Sequence, residues 1–261
     1  MIGALIGDIV GSVYEHRRIK TTSFPLFTAH SRFTDDSVLT IAVADAILRG
    51  KAYADSIKEY ARMYPNAGYG LSFFQWVFSE GTEAYGSWGN GSAMRVSPVG
   101  YAFSSLEDVL FEAKKSAEVT HNHREGIKGA QAVASCIFLA RNGHTKEEVK
   151  SFVEERFGYD LRRTCSEIRP NYRFDVSCQG SVPESIICFL ESDGIVGAVR
   201  NAVSLGGDSD TMACIAGSIA EAFYKKIPRD VVESAMAYLT PHLRGILDEF
   251  ETQYGIFEAF D

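Results

Sequence analysis

Apolar and small residues recur at three- and four-residue spacing along most of the chain. That period predicts helices over residues 2–14, 38–48, 52–63, 106–119, 127–140, 146–157, 195–203, 211–224 and 231–250. Alternating runs of the strand type are nearly absent. Gly3, Gly7 and Gly11 fall four apart on the first helix, which predicts a smooth stripe along which another helix packs closely. The punctuation agrees with this division. Thr145 precedes a helix with Glu147 and Glu148 in its first turn, where carboxylates complement the helix dipole. Gly50, Gly143 and Gly158 sit where C-terminal turns belong, and Pro65, Pro98, Pro170 and Pro228 fall between helical stretches. The longest irregular segments are residues 20–33, 78–99 and 158–183, and irregular loops of this length in a compact domain usually carry function. No repeat, low-complexity tract or linker interrupts the pattern. The expectation is an all-α, single-domain chain over residues 1–261.

Composition narrows the class. A chain of 261 residues with 46% hydrophobic and 23% charged positions can bury a full core, which argues against a mainly disordered protein. The net charge of −8 disfavours broad binding to nucleic acid or to a membrane surface and suits a protein that concentrates divalent cations. Cys136, Cys165, Cys178, Cys188 and Cys214 are odd in number and lack a CxxC spacing. They argue against a disulfide framework or a zinc ribbon and point to the reducing cytoplasm. No stretch reaches the roughly 18 apolar residues of a membrane span. Residues 1–13 look briefly like a leader, but they lack a basic start, contain Asp8, and run into Glu15 and Arg17. They read as a buried helix.

Two acid clusters mark two helix starts. Thr34-Asp35-Asp36-Ser37 precedes one apolar helix, and Gly206-Gly207-Asp208-Ser209-Asp210-Thr211 precedes another. N-capping needs one side-chain oxygen per helix, worth about 1 kcal/mol. Two carboxylates beside a core helix add repulsion and desolvation that capping does not require. A hard divalent cation removes that difficulty, because Mg²⁺, Mn²⁺ or Ca²⁺ prefers carboxylate, hydroxyl and water oxygens. Two such mouths face to face could hold two ions about 3.5–4 Å apart. Capping and metal binding both remain open on this chemistry. An EF-hand does not fit, since Ala213 stands where its loop needs glycine. A DxDxT phosphatase motif does not fit either, since Met212 stands where threonine belongs.

A third constellation is Gly86-Ser87-Trp88-Gly89-Asn90-Gly91-Ser92. Glycines let the backbone approach a ligand, and successive N–H groups in such turns can form an anion nest for a diphosphate. Trp88 offers a face for a base or sugar, and Ser87 and Asn90 offer hydrogen bonds. A plain tight turn is the competing reading, and the spacing is not that of a dinucleotide-binding fingerprint. In Thr120-His121-Asn122-His123, histidines two apart do not share a helix face, so zinc chelation is disfavoured. Thr120 could cap the following helix, leaving His121 either structural or beside a cleft. Glu15, just past the first helix, reads by itself as an exposed helix-end charge.

Together these segments resemble the ADP-ribosylglycohydrolase family, which includes dinitrogenase reductase-activating glycohydrolases and ADP-ribosyl-acceptor hydrolases. The matching pieces are Gly3-Ala4-Leu5-Ile6-Gly7-Asp8 with Glu15 after it, Phe33 to Ser37, Gly89-Asn90-Gly91-Ser92-Ala93-Met94-Arg95, Thr120 to His123, and Gly206 to Thr211. They run in the family's order over residues 3–225. The resemblance implies an orthogonal helical bundle with two Mg²⁺ ions, or Mn²⁺ in their place, in a central cleft. It implies Thr34, Asp35, Asp36, Asp208, Asp210 and Thr211 as metal ligands. Gly86, Ser87, Trp88, Gly89 and Asn90 match the family's phosphate and ribose loop, and His121 matches a histidine near the diphosphate. Glu15 matches a glutamate on a mobile segment. Trp88 stands where the family often carries tyrosine, and Arg124 where it often carries proline.

The implied reaction is hydrolysis of the C1″ glycosidic bond of an ADP-ribosylated substrate, releasing ADP-ribose. Asp36 or Asp210 would orient or deprotonate the water, and Glu15 would serve the leaving group. The implied partners are an ADP-ribosylated protein or a small ADP-ribosyl compound, with a nucleic-acid-linked substrate left open and no membrane. Two alternatives are a binuclear-metal hydrolase of nucleotides or sugar phosphates, and a non-catalytic ADP-ribose binder. The completeness of both acid clusters stands against the latter.

Overall fold

A computed structural model describes residues 1–255 and 258–260. Its helices are α1 (Ile2–Gly11), α2 (Asp35–Arg49), α3 (Tyr53–Met63), α4 (Leu71–Phe78), α5 (Gly91–Met94), α6 (Ser97–Ala102), α7 (Leu106–Glu118) and α8 (Arg124–Arg141). They continue with α9 (Lys146–Phe157), α10 (Cys165–Ile168), α11 (Cys178–Leu190), α12 (Ile195–Ser204), α13 (Ser209–Tyr224), α14 (Arg229–Tyr238) and α15 (Pro241–Tyr254). Strands β1 (Lys226–Pro228) and β2 (Glu258–Phe260) pair in parallel, Ile227 opposite Ala259. The molecule is all-α in class, and this short ribbon only ties the end of the chain beside α14. Among the described residues, no helix is long and apolar enough to cross a membrane.

The bundle is organised around α13. Every residue from Ser209 to Ala222 is buried, and α1, α8, α11 and α12 pack against it. A helix that is apolar on all sides must be sheathed by others, and this one is. The closest partner is α1, which is itself wholly buried. A side chain at Gly3, Gly7 or Gly11 would overlap the backbone of Gly217, Ala213 or Ser209–Asp210 respectively. The four-residue glycine stripe is therefore matched by Ser209, Ala213 and Gly217 on α13, and the two backbones meet without intervening side chains.

The expected helices are present, with informative differences at their ends. Residues 2–14 stop being helical at Gly11. Residues 231–250 form two helices, because Pro241 begins α15 behind the capping hydroxyl of Thr240. Pro98 lies in the first turn of α6 rather than between helices, a place where its missing N–H costs nothing. Two helices, α4 of eight residues and α11 of thirteen, lie outside the spans that the periodicity predicts. In α4 a nearly unbroken apolar run buries Phe73, Trp76 and Val77 and leaves Leu71, Phe74 and Phe78 exposed. In α11 Gly180 and Pro183 hide the helix, but Val182, Ile186, Ile187 and Phe189 are buried, and Ser181 and Ser185 donate to the carbonyls four residues back. Gly50 and Gly158 take left-handed conformations at helix ends, and Thr145 with Glu148 forms a full capping box.

Candidate active site

Thr34 ends an extended segment and caps α2, its hydroxyl accepting from the Asp36 N–H. The next turn is anchored by a residue with no role assigned above. Asp8, buried in the middle of α1, accepts from the Thr34 N–H (2.9 Å), the Thr34 hydroxyl (2.6 Å), the Ser37 N–H (3.1 Å) and the Ser37 hydroxyl (2.5 Å). Four donors on one carboxylate fix the mouth of α2 against α1. The only local sign of this was a charge inside an otherwise apolar helix.

The start of α13 faces that mouth. Asp8, Asp36 and Asp210 each bring a carboxylate oxygen within 4.8 Å of the others, all three buried. The Thr211 hydroxyl lies 3.3 Å from Asp36 Oδ2, and the Thr34 hydroxyl reaches the same oxygen at 3.3 Å. Asp36 Oδ1 is buried without a hydrogen-bond partner. Capping explains Thr34 but not Asp208, which sits at the N-cap position of α13 yet bonds no helical N–H there. Its Oδ2 accepts instead from the Asn90 amide at 2.7 Å, which joins the glycine loop to the acid cluster. Asp35 is partly buried, with its N–H donated to Ala67 O.

Electrostatics show why this group is unfavourable by itself. Burial, then the charges of Asp8 and Asp35, pushes the Asp36 carboxyl well above the usual range. Burial, then Asp208 and Asp36, does the same to Asp210. Burial and the charge of Asp8 push Asp35 up to about 8. Burial raises Asp208 as well, against the Asn90 hydrogen bond. Among the described residues no cation pairs with Asp36 or Asp210 by an ion pair. The unpartnered Asp36 oxygen and an all-oxygen donor set of carboxylates and hydroxyls suit a hard divalent cation.

A cleft of about 610 Å³ opens over this floor. Thr34, Asp35, Asp36, Asp208, Asp210 and Thr211 line its base, and Gly86 to Gly91 with His121 line one wall. Glu15, half-buried, lines the cleft near enough for its charge to help raise Asp35, Asp208 and Asp210, and Arg32, Phe174 and Val176 also reach it. The residues expected as metal ligands, the glycine loop from Gly86 to Asn90, His121 and Glu15 thus line one cavity, whereas His123 and Arg124 line a separate one. Gly86 adopts a φ of +71°, a backbone turn that favours glycine. The loop is not a free nest of N–H groups, however. Those of Ser87, Gly89 and Asn90 already donate to Thr120 O, Ser87 Oγ and Val176 O. Trp88 is 54% exposed, so its face is open, and its ring lies 5.7 Å from that of His123. His123, not Thr120, caps α8, through Nδ1. The phenyl ring of Phe174 is covered by the Arg18 guanidinium at 4.7 Å.

The sequence matches the ADP-ribosylglycohydrolase family model over residues 1–255. The chain belongs to the ADP-ribosylglycohydrolase family. Among curated relatives, ADP-ribosylhydrolase ARH3 of Bos taurus and that of Homo sapiens are each 29% identical, over 91% of this chain and 88% of theirs. ADP-ribosylarginine hydrolase Tri1 of Pseudomonas putida (strain GB-1) is 26% identical over 86% of this chain and 69% of its own. A solved structure described as an ADP-ribosylglycohydrolase-related protein complex superposes with a TM-score of 0.67. It covers 96% of this chain and 92% of that one at 21% identity, a likeness of fold. In this member of the family the buried aspartates could bind a metal ion, and the family and the relatives support hydrolysis of ADP-ribosyl bonds.

Proposed function

We propose that this chain is a Mg²⁺-dependent hydrolase that cleaves the C1″ glycosidic bond of ADP-ribosylated substrates and releases ADP-ribose. The observation that carries the reading is the Asn90–Asp208 hydrogen bond, which holds a glycine loop and an acid cluster on one cleft. A cleft of this volume suits a ligand of nucleotide-sugar size. Thr34, Asp35, Asp36, Asp208, Asp210 and Thr211 would hold two Mg²⁺, with Mn²⁺ as the alternative. Asp8 takes three donors on Oδ2 and one on Oδ1 from Thr34 and Ser37, so its main work would be to hold the start of α2 in place, while Oδ1 keeps a lone pair beside Asp36 and Asp210. Such ions supply Lewis acidity and fix hydroxyl groups of a bound ribose.

The protein groups divide the remaining work. Gly86, Ser87, Trp88, Gly89, Asn90 and His121 would receive the diphosphate and the adenosine side. This orients C1″ over the acid floor, and orientation is a large part of such catalysis. Bond cleavage leaves positive character on the ribose ring, which the carboxylates below it favour. Asp36 or Asp210 would accept the proton of the attacking water. Glu15, which lines the same cleft, would supply one to the leaving group. Residues 1–261 would act as one unit on an ADP-ribosylated protein or a small ADP-ribosyl compound. The unpaired cysteines suit a reducing compartment, and we place the protein in the cytoplasm.

The test is a panel of defined ADP-ribosyl linkages, arginine and serine among them, incubated with Mg²⁺, Mn²⁺ or chelator. Free ADP-ribose released only with metal is the expected result. Phosphate release from nucleotides with every ADP-ribosyl linkage intact would overturn the assignment.

A further inference from the structure

His121 meets the cleft at the end of a chain of side chains that starts from a buried cation. Arg95 follows α5 and is fully buried. Its Nη2 donates to Ser116 O and to Thr120 Oγ1, each at 2.9 Å, while Nε and Nη1 have no partner. Thr120 Oγ1 lies 2.7 Å from His121 Nδ1. A guanidinium only donates, so the threonine oxygen accepts from it. The threonine hydroxyl has a single hydrogen, and His121 Nδ1 is the acceptor in reach. With a hydrogen on Nδ1, the Thr120 O–H would be left unpaired in a residue with no exposure, a costly arrangement. Nδ1 therefore accepts, and the imidazole hydrogen belongs on Nε2. That nitrogen faces the glycine loop, where a Cβ built on Gly91 or Gly89 would come within 3.2 or 3.6 Å of it.

We propose that Arg95 and Thr120 are positioning residues that fix His121 as its Nε2–H tautomer, a neutral donor aimed at the substrate diphosphate beside Gly89 and Gly91. The proposal rests on the ADP-ribose reading of the cleft. With the N–H groups of Ser87, Gly89 and Asn90 spent within the fold, the loop has fewer donors to offer an anion, and the His121 Nε2–H adds one beside it. Burial and the nearby Arg95 charge hold His121 well below the usual histidine range, so it donates without becoming cationic. Arg95 itself lines the cleft, and its uncompensated charge favours an anion there. Thr120 also serves the loop directly, its carbonyl accepting from the Ser87 N–H.

Long-range ¹H–¹⁵N correlation of histidine-labelled protein reads the tautomer without ligand, and calorimetric titration with ADP-ribose reads its consequence. The wild-type spectrum is expected to show Nε2 protonated and Nδ1 bare. Thr120→Val should mix the tautomers and weaken ADP-ribose binding about tenfold, and Thr120→Ser should restore both. In a His121→Phe background, Thr120→Val should add little further loss. A wild-type Nδ1–H tautomer overturns the proposal even where no variant folds, and so does a Thr120→Val protein that binds as tightly as wild type. A wild-type protein with the Nε2–H tautomer that fails to bind ADP-ribose refutes the nucleotide reading of the cleft, and the diphosphate as the partner of His121 falls with it.

Discussion

Raising the pH from about 6 to about 8 is expected to destabilise the metal-free protein and to enlarge the stabilisation that Mg²⁺ confers. In the folded state Asp35 titrates near 8 against an ordinary 3.8, with Asp36 and Asp210 also raised. Throughout that window the native state holds protons that the unfolded chain has released. Stability therefore falls with rising pH, by about 1.4 kcal/mol per unit for each such group. Over most of two units Asp35 alone amounts to about 2 kcal/mol, and Asp36 and Asp210 act in the same direction. For a chain of this size that lowers Tm by about 4–8 °C. A divalent cation displaces the same protons, so its affinity and its thermal gain both rise with pH. Differential scanning calorimetry in chelator and in saturating Mg²⁺, across the pH series, measures both effects. The Asp36→Asn variant should flatten the metal-free slope. A metal-free Tm that holds steady or climbs across the series, or a Mg²⁺ gain equal at its two ends, would refute the reasoning.

Asp35→Ala or Asp210→Ala is expected to lower Mg²⁺-dependent release of ADP-ribose by roughly 100-fold or more, while the metal-free Tm stays level or rises because buried like charge is removed. Steady-state release assays at saturating Mg²⁺, beside melting curves, check both halves. Gly7→Ala sets a methyl against the Ala213 backbone and should cost about 1–3 kcal/mol, read as a lower midpoint in urea. Gly245→Ala, on α15 with no atom within 4 Å, should instead stabilise by about 0.5–1 kcal/mol.

Much of the fold was legible because its helices repeat at 3.6 residues and are closed by recognisable signals such as Thr145, Gly50 and Gly158. What escaped was structure decided by tertiary burial. In α11 the glycine and proline argue against a helix locally, and only the buried Val182, Ile186 and Phe189 outweigh them. The acid motifs were visible as excess charge at helix mouths, since carboxylates crowd there beyond any capping need. The roles of Asp8, Arg95 and Thr120 were not, because each depends on a contact between residues distant in sequence. Asp8 reaches 26 residues to Thr34, and Arg95 reaches 25 to Thr120. No local pattern reports which way a single polar side chain turns inside an apolar segment.

The glycine stripe on α1 shows how packing and chemistry are linked here. Read locally, it is a surface for close helix approach, and it does serve that purpose against Ser209, Ala213 and Gly217. Asp8 adjoins Gly7 on α1, and Asp210 begins the facing helix beside Gly11. The separation of their carboxylates is therefore set by how nearly the two backbones touch. Spacing the helices by one methyl would move Asp8 away from Asp210 and carry α2 with it, since Asp8 holds Thr34 and Ser37. Cluster geometry then depends on residues that carry no functional group. Gly7→Ala should accordingly weaken Mg²⁺ binding as well as folding, a loss that a merely structural stripe would not produce.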